Sequence, residues 1–222
     1  MPHTKWKQKF YSEIEPIAMR DPLSSILGAI DDDEPIYYSF QDCIKLSGHA
    51  CPSVSTAFQL TKLALKELYN GDIPVRGNLE VKFAGNRETG ANGPIGQVIQ
   101  FITGAAIETG FHGLGGKYSR ADLFTYDENM DSGPGLKVEF KRIDTGEKVV
   151  VRANLSMVPL SAEEQTYSEY MADVINGRAS DEDREKFYLF WQGKNRKILL
   201  EDHPGVFMVE PIKRQQPTGA CR

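Results

Sequence analysis

The sequence predicts an α+β fold in which an antiparallel sheet is packed by helices. Apolar residues at helical spacing predict helices over residues 52–69 and 95–103. Between them, residues 78–84 alternate hydrophobic and polar side chains, as in a strand with one buried face. Two further strands, at 136–142 and 148–155, are joined by Asp-Thr-Gly, a typical hairpin turn. Strands connected in this way are antiparallel neighbours that the helices can cover.

We expect three segments along the chain. Residues 1–38 form an N-terminal segment, in which apolar residues spaced by four, four and three predict an amphipathic helix over residues 4–19. Residues 39–159 form the α+β core. Residues 160–222 form a helical C-terminal extension packed on the core, with two helices that begin at serine N-caps and a final strand over 206–209.

Composition and charge restrict the classes of partner. The 222 residues are 40% hydrophobic and 26% charged, which is typical of a globular protein. The formal net charge of −5 and the scattered lysines and arginines argue against nucleic acid as a partner. No apolar run approaches the roughly 18 residues of a membrane span, and no secretory signal is visible. Three cysteines do not indicate a disulfide framework, so we expect a cytoplasmic protein.

The most informative motif is Ser-Gly-His-Ala-Cys-Pro at residues 47–52, directly before the long helix. Pro52 suits the first helical position, which places Cys51 at the N-cap, where the helix macrodipole favours a thiolate. An imidazole from His49 and a thiolate from Cys51 on one rigid turn are suited to bind a transition metal. They also suit a nucleophile and its base, and ordinary core packing is the third interpretation.

A glycine-rich segment at residues 110–117 is the second candidate region. It does not match a phosphate-binding loop, because Phe111 occupies the place of the first glycine and Tyr118 that of the Ser or Thr. Clustered glycines allow close backbone approach, and His112 and Lys117 are polar groups on this segment. We interpret it either as a turn or as a pocket wall, where Lys117 binds a small anionic ligand.

Residues 39–127, taken together, resemble the family of E-type subunits of formylmethanofuran dehydrogenase. That family opens with His-Gly-His-x-Cys-Pro-Gly before a long helix, and residues 47–53 here read Ser-Gly-His-Ala-Cys-Pro-Ser. Its second block is a helix with Ile-Gln and a Thr-Gly stop, which matches residues 99–104. A glycine-rich stretch closed by Gly-Lys and an aromatic strand follow, which match residues 110–117 and 123–126.

The resemblance implies an α+β core that forms a homodimer and binds a transition metal, with His49 and Cys51 as ligands. Zinc is the favoured ion, with nickel or iron as alternatives. The family's first histidine is Ser47 here, and we hypothesise that Cys43, one helical turn earlier, supplies a third ligand. Three such ligands with an open position are typical of an exchangeable or catalytic site. Only Cys221 lies near the C-terminus, so we do not expect these residues to form the zinc finger found in some members of the family.

Three functional hypotheses stay open. The first is a metal-binding protein whose site lies in a cleft between the long helix and the glycine-rich segment, with His112 and Lys117 holding a small anion. The second is a cysteine-dependent enzyme, with Cys51 as nucleophile and His49 or His112 as base. The third is an accessory subunit of a larger redox or C1 enzyme that docks through aromatic residues at 161–200, although we favour packing of those aromatics on the core.

Overall fold

A five-stranded sheet with helices on one face forms the centre of the fold. The computed structural model describes residues 3–32 and 34–212, so Cys221 lies outside the described residues. The strands are β1 (Ile17–Met19), β2 (Ile36–Tyr38), β3 (Leu79–Ala84), β4 (Phe124–Asp127), β5 (Leu136–Arg142), β6 (Lys148–Ala153) and β7 (Phe207–Ile212). The α-helices are α1 (Pro22–Ile26), α2 (Phe40–Ser47), α3 (Pro52–Tyr69), α4 (Asn92–Thr103), α5 (Ala162–Thr166), α6 (Met171–Ile175) and α7 (Asp181–Leu200). Short 3₁₀ turns lie at Lys9–Ser12, Leu155–Met157 and Tyr167–Tyr170.

The strand order of the main sheet is β4-β3-β5-β6-β7. All neighbours are antiparallel except β3 and β4, which run parallel because α4 carries the chain back across the sheet between them. The predicted α+β fold, with an antiparallel-rich sheet packed by helices, is confirmed. β7 pairs with β6, so the C-terminal extension supplies one edge strand of the core sheet. β1 and β2 form a separate two-stranded sheet.

The two faces of the sheet differ in chemistry. Leu79, Val81 and Phe83 of β3 are buried beneath the helices, and Glu80 and Lys82 between them are exposed. The open face carries cross-strand ion pairs, such as Lys141 Nζ to Glu80 Oε2 at 2.8 Å. This alternation is expected for an antiparallel-rich sheet with only one covered face.

The helix ends follow the local signals of the sequence. Cys51 is the N-cap of α3 with Pro52 as its first residue, and Asn70 ends the helix in the left-handed conformation at φ 46°. Gly104 ends α4 in the same way at φ 71°, while α4 begins at Asn92, three residues earlier than predicted. No described helix combines the length and the apolarity that crossing a bilayer requires.

The serine caps predicted for the C-terminal extension are confirmed. Ser161 and Glu164 form a capping box at α5, and Ser180 caps α7. Lys197 of α7 lies 2.7 Å from the Glu164 carboxylate, and this hydrogen bond lowers the pKa of Glu164 below its usual value. The extension is therefore held together by local caps and by contacts between its own helices.

The helix predicted over residues 4–19 is wrong. This segment contains only a 3₁₀ turn and β1, because Pro16 lacks an N–H and disfavours helical geometry in the residue before it. Three of the apolar residues that defined the stripe are nevertheless buried, namely Phe10, Ile14 and Ile17. The spacing therefore identified buried residues correctly, although the segment that carries them is largely irregular rather than helical.

A buried ion cluster fastens the N-terminal segment to the core. The Asp21 carboxylate lies 3.1 Å from Arg76 Nη1 and 2.8 Å from Arg120 Nη2. Asp21 and Arg120 expose only 5% and 7% of their surfaces. Burial lowers the pKa of Arg120, and the charge of Asp21 opposes that shift. Arg76 also donates to two carbonyl groups in the last turn of α4, where a cation is favoured.

We predict that Asp21→Ala lowers the free energy of unfolding by about 3 kcal/mol, because two guanidinium groups then lose their buried counter-charge. Equilibrium unfolding in urea measures this loss. Asp32→Ala, at an exposed position, is the matched control and is expected to change stability by less than about 0.5 kcal/mol. Equal stability of the two variants would contradict the role of the cluster.

Candidate functional site

The Gly-His-Ala-Cys-Pro motif forms the turn between α2 and α3. Gly48 ends α2 with φ 77°, and its N–H donates to the Ile44 carbonyl at 2.7 Å. Glycine adopts this left-handed conformation with the least strain, which accounts for its place at the end of α2. Cys51 is extended, with φ −140° and ψ 165°, and leads into Pro52. Both ends of the turn are therefore fixed by backbone geometry.

His49 is exposed on this turn, and its ring orientation is fixed by the backbone. Its Nδ1 atom lies 2.9 Å from the Ser47 carbonyl oxygen. A carbonyl can only accept, so this contact requires a proton on Nδ1. In the neutral ring Nε2 then carries the lone pair. The arrangement leaves Nε2 as the free acceptor of an exposed side chain.

Cys43 lies in the hydrophobic core on the buried face of α2. It exposes 0% of its surface, and burial, together with the neighbouring Asp42 charge, raises the pKa of the Cys43 thiol to about 12. The Ser47 hydroxyl donates to the Cys43 carbonyl at 2.6 Å, so the contact between these two residues is through the backbone. A protonated thiol without accessible surface fits core packing better than metal binding.

Cys51 belongs to the same buried core cluster as Cys43 but keeps a little accessible surface. It exposes 9% of its surface, and its side chain makes no capping hydrogen bond to α3. Ser55 donates its backbone N–H to the Cys51 carbonyl at 3.0 Å, which begins the helical hydrogen bonding. The sulfur therefore lies at the positive end of the α3 dipole without a hydrogen-bonding task of its own.

The structure does not assemble the three predicted ligands into one cluster. Among residues 3–32 and 34–212, no group of three or more His, Cys, Asp and Glu side chains is arranged to hold a metal ion. His49 is exposed on the turn, whereas Cys51, like Cys43, belongs to the buried core cluster. Of the three predicted ligands, His49 is the one whose side chain is exposed to solvent.

A cavity of about 330 Å³ opens beside His49. We call it the His49 cavity. Its walls come from the N-terminal segment, the α2–α3 turn and α7. The lining residues are Trp6, Lys7, Gln8, Tyr11, Ile44, Gly48, His49, Ala50, Tyr188 and Gln192. Sequence patterns could not reveal this cavity, because its walls are contributed by parts of the chain that lie far apart in sequence.

Two polar contacts hold α7 over the turn and α3. Trp191 Nε1 donates to the Ala50 carbonyl at 2.9 Å, and the Ser55 hydroxyl donates to Asn195 Oδ1 at 3.1 Å. Ser55 and Asn195 are both completely buried, so their hydrogen bond replaces water that each has lost. Phe187 is also buried, and Trp191 packs against the core. Phe187 and Trp191 therefore pack within the chain, while Tyr188 and Phe190 of the same helix are half-buried.

The glycine-rich segment lies apart from the His49 cavity. Residues Leu114 and Lys117 exchange two backbone hydrogen bonds, of 2.8 and 3.0 Å, which close a tight turn. His112 and Lys117 are exposed on it and do not line the His49 cavity. The sequence led us to expect a cleft between the long helix and this segment. The His49 cavity lies elsewhere, because α7 and the N-terminal segment form its walls.

Comparison of the chain with models of known protein families gives no match, and a search of curated proteins gives none either. The resemblance to the E-type subunits of formylmethanofuran dehydrogenase is therefore carried by the motifs of residues 39–127 alone.

We predict that iodoacetamide alkylates Cys43 at least about 100-fold more slowly than Cys51 at about pH 8, because the raised thiol pKa leaves roughly one part in 10⁴ as thiolate. Peptide mass mapping of a Cys221→Ser variant measures both rates. In concentrated urea the two rates should become similar. Comparable rates in the native protein would contradict the core position of Cys43.

Proposed function

We propose that the chain is a metal-binding protein similar to the E-type subunits of formylmethanofuran dehydrogenase, with its ion held at the α2–α3 turn. His49 Nε2 and Cys51 Sγ are the two protein ligands. Zinc is the favoured ion, with nickel or iron as alternatives. The observation that carries the proposal is the hydrogen bond between His49 Nδ1 and the Ser47 carbonyl.

This hydrogen bond is the kind that accompanies histidine ligands. A metal-binding imidazole usually donates its second ring N–H to a carbonyl or carboxylate, which fixes the tautomer and orients the other nitrogen. In the neutral ring His49 meets that requirement with a backbone acceptor, so nothing outside the turn is needed to orient it. Because His49 is exposed, Nε2 is accessible to an ion from solvent.

Cys51 supports the proposal through its place at the helix start. The side chain lies at the N-cap of α3 and has no capping hydrogen bond to give up on binding an ion. Two protein ligands leave the remaining coordination positions to water or to other molecules. When bound there, a zinc ion supplies Lewis acidity close to the His49 cavity.

Cys43 is left out of the ligand set that we propose, because it has no accessible surface, whereas Cys51 keeps 9%, and because burial raises the pKa of the Cys43 thiol to about 12. We further propose that the protein is a cytoplasmic homodimer. The family resemblance supports the dimer, and the few cysteines, which do not form a disulfide framework, support a reducing compartment.

A cysteine-dependent enzyme is the second candidate function, since the Cys51 side chain makes no capping hydrogen bond at the start of α3. In that case Cys51 is the nucleophile and His49 the base. Rapid alkylation of Cys51 in protein purified without metal, with an inflection at low pH, would favour this candidate over the first.

We predict that the protein purifies with about one metal ion per chain, and that His49→Ala and Cys51→Ala each lower metal affinity at least about tenfold, because each removes one ligand. Elemental analysis after dialysis against a weak chelator measures the retained metal. Cys43→Ala is the matched control, since it removes a thiol eight positions from Cys51 along the chain, and it should keep the wild-type metal content.

Full metal content in Cys51→Ala would contradict the proposed ligand set. Loss of metal in Cys43→Ala, with the fold retained by circular dichroism, would instead restore the three-ligand hypothesis.

A further inference from the structure

We propose that the His49 cavity binds a small planar aromatic carboxylate. This inference does not rest on the metal, because the groups that it uses are in place without an ion. A volume of about 330 Å³ lies at the lower end of the range of small-molecule sites, which suits a compound of one or two rings.

The walls of the cavity favour a flat aromatic molecule. The rings of Trp6 and Tyr11 lie edge to face, with centroids 6.0 Å apart, and Tyr188 lines the cavity from α7. Ile44 and Ala50 add apolar surface from α2 and the turn. Aromatic side chains pair with a further ring more favourably than with a saturated group of equal size.

One polar group in the cavity has a fixed orientation. Gln192 Oε1 accepts from the Tyr11 hydroxyl at 2.9 Å and from Asn195 Nδ2 at 3.1 Å. The buried Ser55 hydroxyl donates to Asn195 Oδ1, and Asn195 Nδ2 is the group that donates to Gln192. The Gln192 amide oxygen is thereby occupied, and its NH₂ group is left to donate to a molecule in the cavity.

The charge of the lining favours an anion. Lys7 is its charged residue, and no aspartate or glutamate lies among the described residues that form the walls. Lys7 Nζ pairs with Glu185 at 2.6 Å and lies 4.3 Å from the centre of the Tyr188 ring. Both members of the ion pair are about 60% exposed, so the pair is weak and the ammonium group can turn to a bound carboxylate.

The amide donor and the ammonium group therefore recognise carboxylate oxygens, while the three rings recognise the aromatic part of the same molecule. Burial raises the pKa of Tyr11 to about 12, so its hydroxyl stays protonated and continues to hold Gln192 in this orientation. A neutral aromatic compound would leave Lys7 unused, and an aliphatic acid would leave the rings unused.

The test is a titration of chelator-treated protein with benzoate, monitored by ligand-observed NMR. Benzyl alcohol and cyclohexanecarboxylate are the comparison probes, since the first lacks the charge and the second lacks the flat ring. We expect saturable binding of benzoate that is tighter than that of either comparison probe.

Gln192→Glu is the decisive variant, because it keeps one side-chain oxygen for Tyr11 and Asn195 and replaces the NH₂ donor by a carboxylate oxygen. We expect it to weaken benzoate binding by about tenfold or more, the effect of losing a hydrogen bond to a charged group. Gln165→Glu on α5 is the matched control and should bind benzoate as the wild type does. Tyr188→Leu should abolish the preference for benzoate over cyclohexanecarboxylate, and it provides a second test if Gln192→Glu fails to fold.

Absence of saturable benzoate binding would overturn the inference, as would equal binding to the wild type and Gln192→Glu. Because the titration uses metal-free protein, these outcomes are independent of whether His49 and Cys51 bind an ion.

Discussion

The position of α7 on the core depends on one buried amide, that of Asn195. Its oxygen accepts from Ser55 on α3, and its nitrogen donates to Gln192 one turn earlier on α7. A buried amide left without hydrogen-bond partners costs about 1–3 kcal/mol of stability, so rotations of α7 that separate Asn195 from Ser55 are disfavoured. In the observed orientation of α7, Tyr188 and Gln192 line the cavity above the turn, and Trp191 donates to the Ala50 carbonyl. The shape of the His49 cavity follows from this constraint.

Those parts of the fold whose signals are complete within a few residues could be predicted from the sequence. The start of α3 is an example, since Pro52 and the residue before it define the N-cap without reference to the rest of the chain. The β5–β6 hairpin is another, because its turn lies between two alternating segments. The serine caps of α5 and α7 belong to the same class. In each case the stabilising contacts are local, so the pattern suffices.

The candidate site depends on contacts that no local pattern describes. His49 and Cys51 could be identified from the motif, but the cavity beside them brings Tyr11 and Gln192 together across 181 positions of the chain. The expectation for Cys43 used helical spacing, which gives the direction of a side chain but not its depth. Phe40 and Ile44 are buried beside it, so the face that α2 presents at Cys43 is its core face.

Two of the five residues in Gly-His-Ala-Cys-Pro are accounted for by the junction between two helices. A methyl group added at Gly48 would meet no atom within 4 Å, so crowding does not select glycine there. The left-handed φ of 77° selects glycine instead, because other residues adopt it at a strain of about 1 kcal/mol. Asn70 adopts the same conformation after α3, which shows that the chain tolerates a side chain in such a cap. The diagnostic value of the motif for chemistry thus resides in its imidazole and its thiol, while the flanking glycine and proline report only how the backbone changes direction.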